Sequence, residues 1–143
     1  MKFSTRARYG LRICFLIGVS NDDCISLATL VKQTSLSEKY LEQIMSKLKA
    51  GGIVGSVRGA SGGYYLSRSA KDISVNEILR ALDDSFEISD CAIDGCADEY
   101  CPNKKIFKRL YDGMNSMLDN FSLEDMIDDY KCSGIKEYKN STK

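Results

Sequence analysis

The sequence predicts a mostly α-helical fold with one small β-hairpin, and three observations carry this prediction. Apolar residues recur at spacings of three and four along most of the 143 residues. Two short β-prone segments, 53–57 and 64–66, flank a glycine-rich turn. A long stretch at 104–121 keeps an apolar seam. Together they indicate a winged helix-turn-helix domain followed by a long dimerisation helix.

A first amphipathic helix is predicted over residues ~4–20. Tyr9, Ile13, Leu16 and Ile17 recur at helical spacing and should face the core. Cys14 lies among apolar neighbours within this helix and Cys24 follows the turn after it. Both are interpreted as packing cysteines, since free cysteine is among the most buried residue types.

A short helix over 27–33, capped by Ser26, and a tight turn at 34–36 come next. The tetrapeptide from Ser35 to Glu38 matches a capping box, in which the serine and glutamate satisfy each other's exposed helix-end N–H groups. Two helices joined by so tight a turn are the helix-turn-helix layout, although many helical hairpins share it.

The helix after this turn is predicted to end near Lys49, where Gly51 and Gly52 supply a left-handed cap. Its inward face is formed by Leu41, Ile44 and Leu48. Its outward face is formed by Ser37, Lys39, Tyr40, Gln43 and Lys47.

A β-hairpin directly after such a helix is typical of a wing. Its glycine-rich tip, residues 58–63, permits positive φ and close backbone approach, and Arg58 projects a charge suited to a phosphate or a narrow minor groove. The tip lacks the G-K-[ST] ending of a nucleotide-binding loop, so nucleotide binding is not expected.

Three helices are predicted in the second half of the chain. Ser74–Glu77 is a capping box that opens a short helix with Val75, Ile78, Leu79 and Leu82 inward. Asn103 is placed to cap a long helix over 104–121, and Ser122 starts a last short one. The long helix has a heptad seam of Phe107, Leu110, Met114, Met117 and Phe121, widened by Ile106 and Leu118. This seam favours pairing with a second copy over packing within one subunit.

The charge distribution favours a nucleic-acid-binding first half. Residues 1–66 carry a net charge of +5 and residues 67–143 a net charge of −5, within an overall charge of zero. Chance asymmetry of solvated faces is the alternative. The start lacks a signal-peptide core and no apolar run is long enough for a membrane span, so a cytoplasmic protein is expected. Six cysteines would be reduced there.

Three of these cysteines, Cys91, Cys96 and Cys101, are spaced C-x4-C-x4-C between two predicted helices. The gaps are too wide for the knuckle of a structural zinc site, whereas a larger iron–sulfur cluster tolerates them. At this point a metal or cluster site and redox-active or incidental thiols both remain open. The chain contains no histidine for general-base or triad chemistry, so an enzyme is not expected.

Three segments, residues 2–12, 40–54 and 56–66, resemble the Rrf2 family of winged-helix transcription regulators, most closely its IscR-like iron–sulfur type. The resemblance runs to about Tyr130, and the wing sequence S-V-R-G-A-S-G-G-Y-Y-L is its most specific part. It implies a homodimeric, DNA-binding bacterial regulator with a cluster at the cysteines.

The resemblance also implies which residues touch double-stranded operator DNA. The helix beginning near Ser37 would enter the major groove, and the wing the minor groove. The implied contacts are Ser37, Lys39, Tyr40, Glu42, Gln43, Arg58 and Gly59. More distant basic residues, Arg6, Arg8, Lys47 and Lys49, are expected to contact phosphates or solvent.

The cluster ligands implied are Cys91, Cys96 and Cys101, with the fourth ligand unknown. The chain has Lys104 where IscR-like members have a histidine, and Arg8 where nitric-oxide-sensing members have an aspartate. A nearby carboxylate, Cys132, Cys14 or an exogenous ligand could complete the site. A [4Fe–4S] cluster is preferred over [2Fe–2S].

The expected organisation is a DNA-binding domain at 1–82, a cysteine segment at 83–103, the dimerisation helix and a short helix at 104–131, and a tail at 132–143. The expected function is transcription regulation by cluster status. The alternative is the same DNA-binding regulator without a cluster, switched by thiol oxidation, zinc or a protein partner.

Overall fold

The computed structural model describes residues 3–82 and 100–133, which form a set of helices and one antiparallel hairpin. The helices and strands of the described residues are α1 (Thr5–Val19), α2 (Leu27–Thr34), α3 (Glu38–Ala50), β1 (Val54–Val57), β2 (Gly63–Leu66), α4 (Val75–Ala81), α5 (Lys104–Asn120) and α6 (Leu123–Cys132). The predicted fold class is confirmed. In the described ranges, no helix is long and apolar enough to cross a membrane.

Helix α1 is the central helix of the core. It begins at Ser4, whose side chain accepts a hydrogen bond from the N–H of Ala7 at 3.0 Å. Its buried residues include Ile13, Leu16 and Ile17, as predicted, and the helix as a whole contacts α2, α3, α4, β2 and α6. Burial of each such side chain stabilises the fold by about 1.5–3 kcal/mol.

The last helix, α6, closes this core. Leu123 and Ile127 are buried in the same apolar cluster as α1, and the ring of Tyr130 meets Phe15 edge to face at 4.8 Å between centroids. Ser122 caps α6 through a capping box with Asp125. Helix α6, near the end of the described residues, therefore stabilises α1 near their start.

The turn between α2 and α3 differs from its prediction. Ser35 has a left-handed φ of 56° and ends α2, with its N–H donating to the carbonyl of Val31 at 2.9 Å. Helix α3 begins only after Ser37, whose side chain accepts from the N–H of Tyr40 at 3.3 Å. The predicted capping box from Ser35 to Glu38 is wrong, because residue 35 is needed to stop the preceding helix.

The wing is joined to the chain segment that precedes α2. Strands β1 and β2 pair with Val54 opposite Leu66. On the other edge of β2, Tyr64 exchanges two backbone hydrogen bonds of 2.9 Å each with Ile25, which precedes α2. Gly52, with a φ of +70°, turns the chain from α3 into β1 and confirms the predicted left-handed glycine. Gly51, the cap residue itself, has a right-handed φ of −77°. The root of the wing is thereby fixed from both sides.

Helix α4 begins with the predicted capping box. The side chain of Ser74 accepts from the N–H of Glu77, and the Glu77 carboxylate accepts from the N–H of Ser74. This backbone donor, with help from Arg68 at 2.9 Å, holds the pKa of Glu77 below its usual range. Ile78, Leu79 and Leu82 are buried as predicted, whereas Val75 is half-buried.

Helix α5 is attached mainly at its carboxyl end. The N–H of Val75 donates to the carbonyl of Phe121, and the N–H of Leu123 donates to the carbonyl of Ile73, both at 2.8 Å. No residue of α5 is buried. Asn103 occupies the predicted cap position, but its side chain makes no capping hydrogen bond.

Candidate nucleic-acid interface

One face of α3 is polar and exposed along its length. Lys39, Glu42, Gln43 and Ser46 follow one another at spacings of three and one and are all exposed. Ser46 was not predicted, although it lies three residues after Gln43 on the same stripe. Lys47, predicted to face outward, is half-buried. The opposite face is buried and consists of Leu41, Ile44, Met45 and Leu48. This burial fixes the helix and turns its polar face away from the core.

Two predicted contact residues also hold the start of α3. Ser37 is exposed but uses its hydroxyl oxygen to cap the helix. Tyr40 is half-buried, and its ring meets that of Tyr9 in α1 at 6.4 Å and 88°. Tyr40, predicted on the outward face, is only partly exposed because its ring packs against the first helix, and its contact with DNA stays a prediction. Edge-to-face pairs of this kind contribute about 0.5–1.5 kcal/mol beyond the area that they bury.

The wing tip presents Arg58 on a tight glycine turn. Arg58 and Gly59 are both exposed, and Gly59 has a φ of +118°, which side-chain-bearing residues rarely adopt. The N–H of Gly62 donates to the carbonyl of Gly59 at 3.0 Å, closing the turn. The guanidinium is therefore carried at the end of a constrained hairpin.

A side-chain contact connects α3 to the wing. The ammonium group of Lys49, in the last turn of α3, donates to the hydroxyl of Ser56 in β1 at 2.6 Å. Sequence reasoning assigned Lys49 to phosphate or solvent and missed this contact, because the two residues lie in different elements. It helps to hold the polar face of α3 and the wing in one arrangement.

Of the three predicted cluster ligands, the structure describes Cys101. It is half-buried immediately before α5, and its carbonyl accepts from the N–H of Lys104 at 3.2 Å. Cys91 and Cys96, with most of the cysteine segment, lie outside the described residues. Within residues 3–82 and 100–133, no group of three cysteine or acidic residues could hold a metal ion.

The other described cysteines differ in accessibility. Cys14 is fully buried, as predicted, and burial raises its pKa to about 12, so its free thiol stays protonated. Cys24 is half-exposed, with its sulfur 3.4 Å from the carbonyl oxygen of Ser61 in the wing tip. Its predicted packing role is met only in part, because it is half-buried against the wing rather than in the core. Cys132 is exposed at the end of α6.

Residues 3–129 match a family model described as Rrf2, an iron-dependent transcriptional regulator. The chain belongs to the Rrf2 family. It is 30% identical over 130 residues to the transcriptional regulator IscR of Pectobacterium carotovorum, covering 89% of this chain and 79% of that one.

The solved structures of two transcriptional regulators, IscR and CymR, resemble the fold of this chain. The structure of IscR from T. potens is 30% identical, with a TM-score of 0.77 over 96% of this chain and 93% of that one. The structure of CymR, the global cysteine regulator of B. subtilis, is 33% identical, with a TM-score of 0.75 over 90% and 97%. These relatives are transcriptional regulators rather than enzymes, which agrees with the predicted absence of catalysis.

Proposed function

We propose that this Rrf2-family protein is a homodimeric, cytoplasmic regulator of bacterial transcription that inserts α3 into the major groove of operator DNA. The exposed polar face of α3 beside the wing arginine carries this proposal. The major groove of B-DNA is wide enough to hold an α-helix. A hairpin that follows this helix can then reach the adjacent minor groove.

The side chains on this surface have complementary roles toward DNA. Gln43 can make two hydrogen bonds to an adenine edge, and Glu42 can accept from the amino group of cytosine. Lys39 supplies a positive charge for a phosphate or a guanine. Arg58 suits the negative potential of a narrow minor groove, where the tight turn at Gly59 lets the backbone approach closely. Ser37 lies at the end of α3 that would point toward the DNA.

The outer face of α5 supports a homodimer. Leu110 is 46% exposed, Met117 61% and Phe121 51%, and Ile106 is exposed as well. An apolar stripe of this length on a charged helix is typical of a surface that pairs with another helix. Pairing two α5 helices would place two copies of α3 on the two half-sites of one operator.

Cys91, Cys96 and Cys101 are the residues that would hold an iron–sulfur cluster. The donor set fits, because cysteine thiolates are the ligands that hold such clusters. When bound, the cluster would supply a redox- and oxidant-sensitive group, with [4Fe–4S] preferred over [2Fe–2S]. Cys101, next to the start of α5, would connect the state of that site to the helix. The fourth position stays open to a nearby carboxylate, Cys132, Cys14 or an exogenous ligand.

A regulator without a cluster is the second candidate. The similarity to CymR, the global cysteine regulator of B. subtilis, favours this alternative. In it, oxidation of the thiols, zinc or a protein partner would switch the same DNA-binding dimer.

DNA binding is tested by Arg58→Ala, with Lys131→Ala as a control that removes the same charge from exposed α6. Duplexes enriched from a random library by the wild-type protein serve as probes. Arg58→Ala should weaken binding by about 1–3 kcal/mol and lower the salt slope by about one unit, while the control should do neither. Equal DNA affinities for the two variants would show that the wing does not contact DNA.

The cluster is tested by anaerobic preparation of the wild-type protein and of Cys96→Ala. The wild type should be brown and contain iron and acid-labile sulfide, whereas Cys96→Ala should lose iron but still dimerise. A colourless wild-type protein after reconstitution would refute the cluster. A disulfide or bound zinc, identified by mass spectrometry in that colourless protein, would support the second candidate.

A further inference from the structure

Asn76 in α4 is a buried polar side chain that reaches across to α5. It is 3% exposed, and its amide nitrogen donates to a carboxylate oxygen of Asp119 at 2.8 Å. The same nitrogen lies 3.4 Å from the side-chain oxygen of Asn115 and 3.5 Å from its carbonyl. Asn115 is held in turn, because its amide donates to the carbonyl of Tyr111 at 3.0 Å.

This contact fixes the orientation of α5 relative to α4. Buried amides are costly unless hydrogen-bonded, so the contact between Asn76 and Asp119 favours one orientation. No residue of α5 is buried, and its most exposed apolar residues face away from the chain. Apolar contacts tolerate sliding, whereas a 2.8 Å hydrogen bond to a carboxylate does not.

On its other side, α4 is firmly packed against the DNA-binding elements. Ile78 and Leu79 are buried, and α4 contacts both α1 and α3. At its end, Ala81 lies so close to Gly51 that a methyl group added to Gly51 would come within 2.5 Å of the Ala81 side chain. A change in the orientation of α5 at Asn76 would therefore be relayed to the end of α3.

We propose that Asn76 is a positioning residue that fixes the angle between α5 and the DNA-binding helices, and thereby the separation of the two α3 helices in a dimer. This inference rests on the proposed function. Helix α5 has 17 residues and is about 26 Å long, so a rotation of about 10° would move its far end by roughly 4 Å. That displacement exceeds the rise of about 3.4 Å per base pair, so it would change which half-site spacing fits.

The test is Asn76→Asp, which places a second carboxylate against Asp119. The variant should remain dimeric by light scattering. Its affinity for the duplex selected by the wild-type protein should fall roughly 5–150-fold. Its best duplex should be one with one or two base pairs added or removed between the half-sites.

The double variant Asn76→Asp/Asp119→Asn restores a donor and an acceptor with their positions exchanged. It should recover both affinity and the original spacing preference, even where the single variant folds poorly. Asp112→Asn, which removes the same charge from an exposed position of α5, is the matched control and should leave the spacing preference unchanged.

Three outcomes would overturn the proposal. Unchanged affinity and spacing preference in folded Asn76→Asp would do so. An equal loss of DNA affinity at every half-site spacing would also overturn it, because such a loss shows a purely structural role. Failure of the double variant to restore the spacing preference is the third outcome. A wild-type protein that is monomeric or enriches no duplex would instead refute the proposed function, and this inference with it.

Discussion

Gly63 at the start of β2 is the position where one methyl group should detach the wing from its support. A Cβ atom there would lie 2.5 Å from the carbonyl oxygen of Ile25 and 2.7 Å from its carbonyl carbon. Both atoms belong to the backbone, so no side-chain rotation can relieve the clash. In Gly63→Ala, the segment containing Ile25 must therefore move away from the hairpin.

The cost follows from the two hydrogen bonds at this point. Ile25 and Tyr64 exchange N–H···O bonds of 2.9 Å in both directions. Losing both should destabilise the protein by about 2 kcal/mol, since each contributes about 1 kcal/mol net. For a chain of this length the melting temperature should fall by roughly 4–8 °C. Arg58 at the wing tip should lose its position as well, so affinity for selected duplexes should fall.

Thermal unfolding by circular dichroism and titration of a labelled duplex measure the two effects. Gly113→Ala is the control, because it adds the same methyl group within α5 where no atom lies within 4 Å. That change should stabilise the protein by up to about 1 kcal/mol, since alanine favours helix. A Gly63→Ala protein with unchanged melting temperature and affinity would show that the wing does not depend on its contact with Ile25.

Three further predictions concern the dimer, the pH dependence and the thiols. Met117→Glu should give a folded monomer in sedimentation experiments, because it places a charge in the apolar seam; a persistent dimer would exclude that seam. Glu77→Gln should lower the melting temperature at pH 7. Because hydrogen bonds from the Ser74 backbone and Arg68 lower the pKa of Glu77 from 4.5, the stability that they add is lost as pH falls through the lowered pKa. The difference in melting temperature between Glu77→Gln and the wild type should therefore become smaller at acid pH. A difference that stays constant with pH would contradict this explanation. Iodoacetamide should label Cys132 in the native protein and Cys14 only after unfolding; rapid native labelling of Cys14 would contradict its burial.

Local patterns predicted the helices and strands well because they reflect burial directly. Leu41, Ile44 and Leu48 recur at helical spacing because one side of α3 lies against the core. The turn before α3 was harder, since Ser35 and Ser37 both have the residue type of a helix cap. Only the left-handed φ of Ser35, a consequence of ending α2, decides between them.

Contacts between distant residues were beyond sequence reasoning. The exposed stripe on α3 follows from periodicity, and Arg58 follows from its place on a glycine turn. The pair formed by Tyr9 and Tyr40 and the contact from Lys49 to the wing have no local signature, because each depends on how two elements pack. The assignment of Cys91 and Cys96 as ligands stays a prediction.

The place of α6 in the core has a genetic consequence. Leu123 and Ile127 pack with residues of α1, and each contributes about 1.5–3 kcal/mol through burial. Their joint contribution is large beside the roughly 5–15 kcal/mol that keeps a typical domain folded. A nonsense codon before Leu123 should therefore yield an unfolded, degraded product rather than a free DNA-binding fragment. In a cell that also carries the intact gene, such a product should not compete with the full-length protein for promoters.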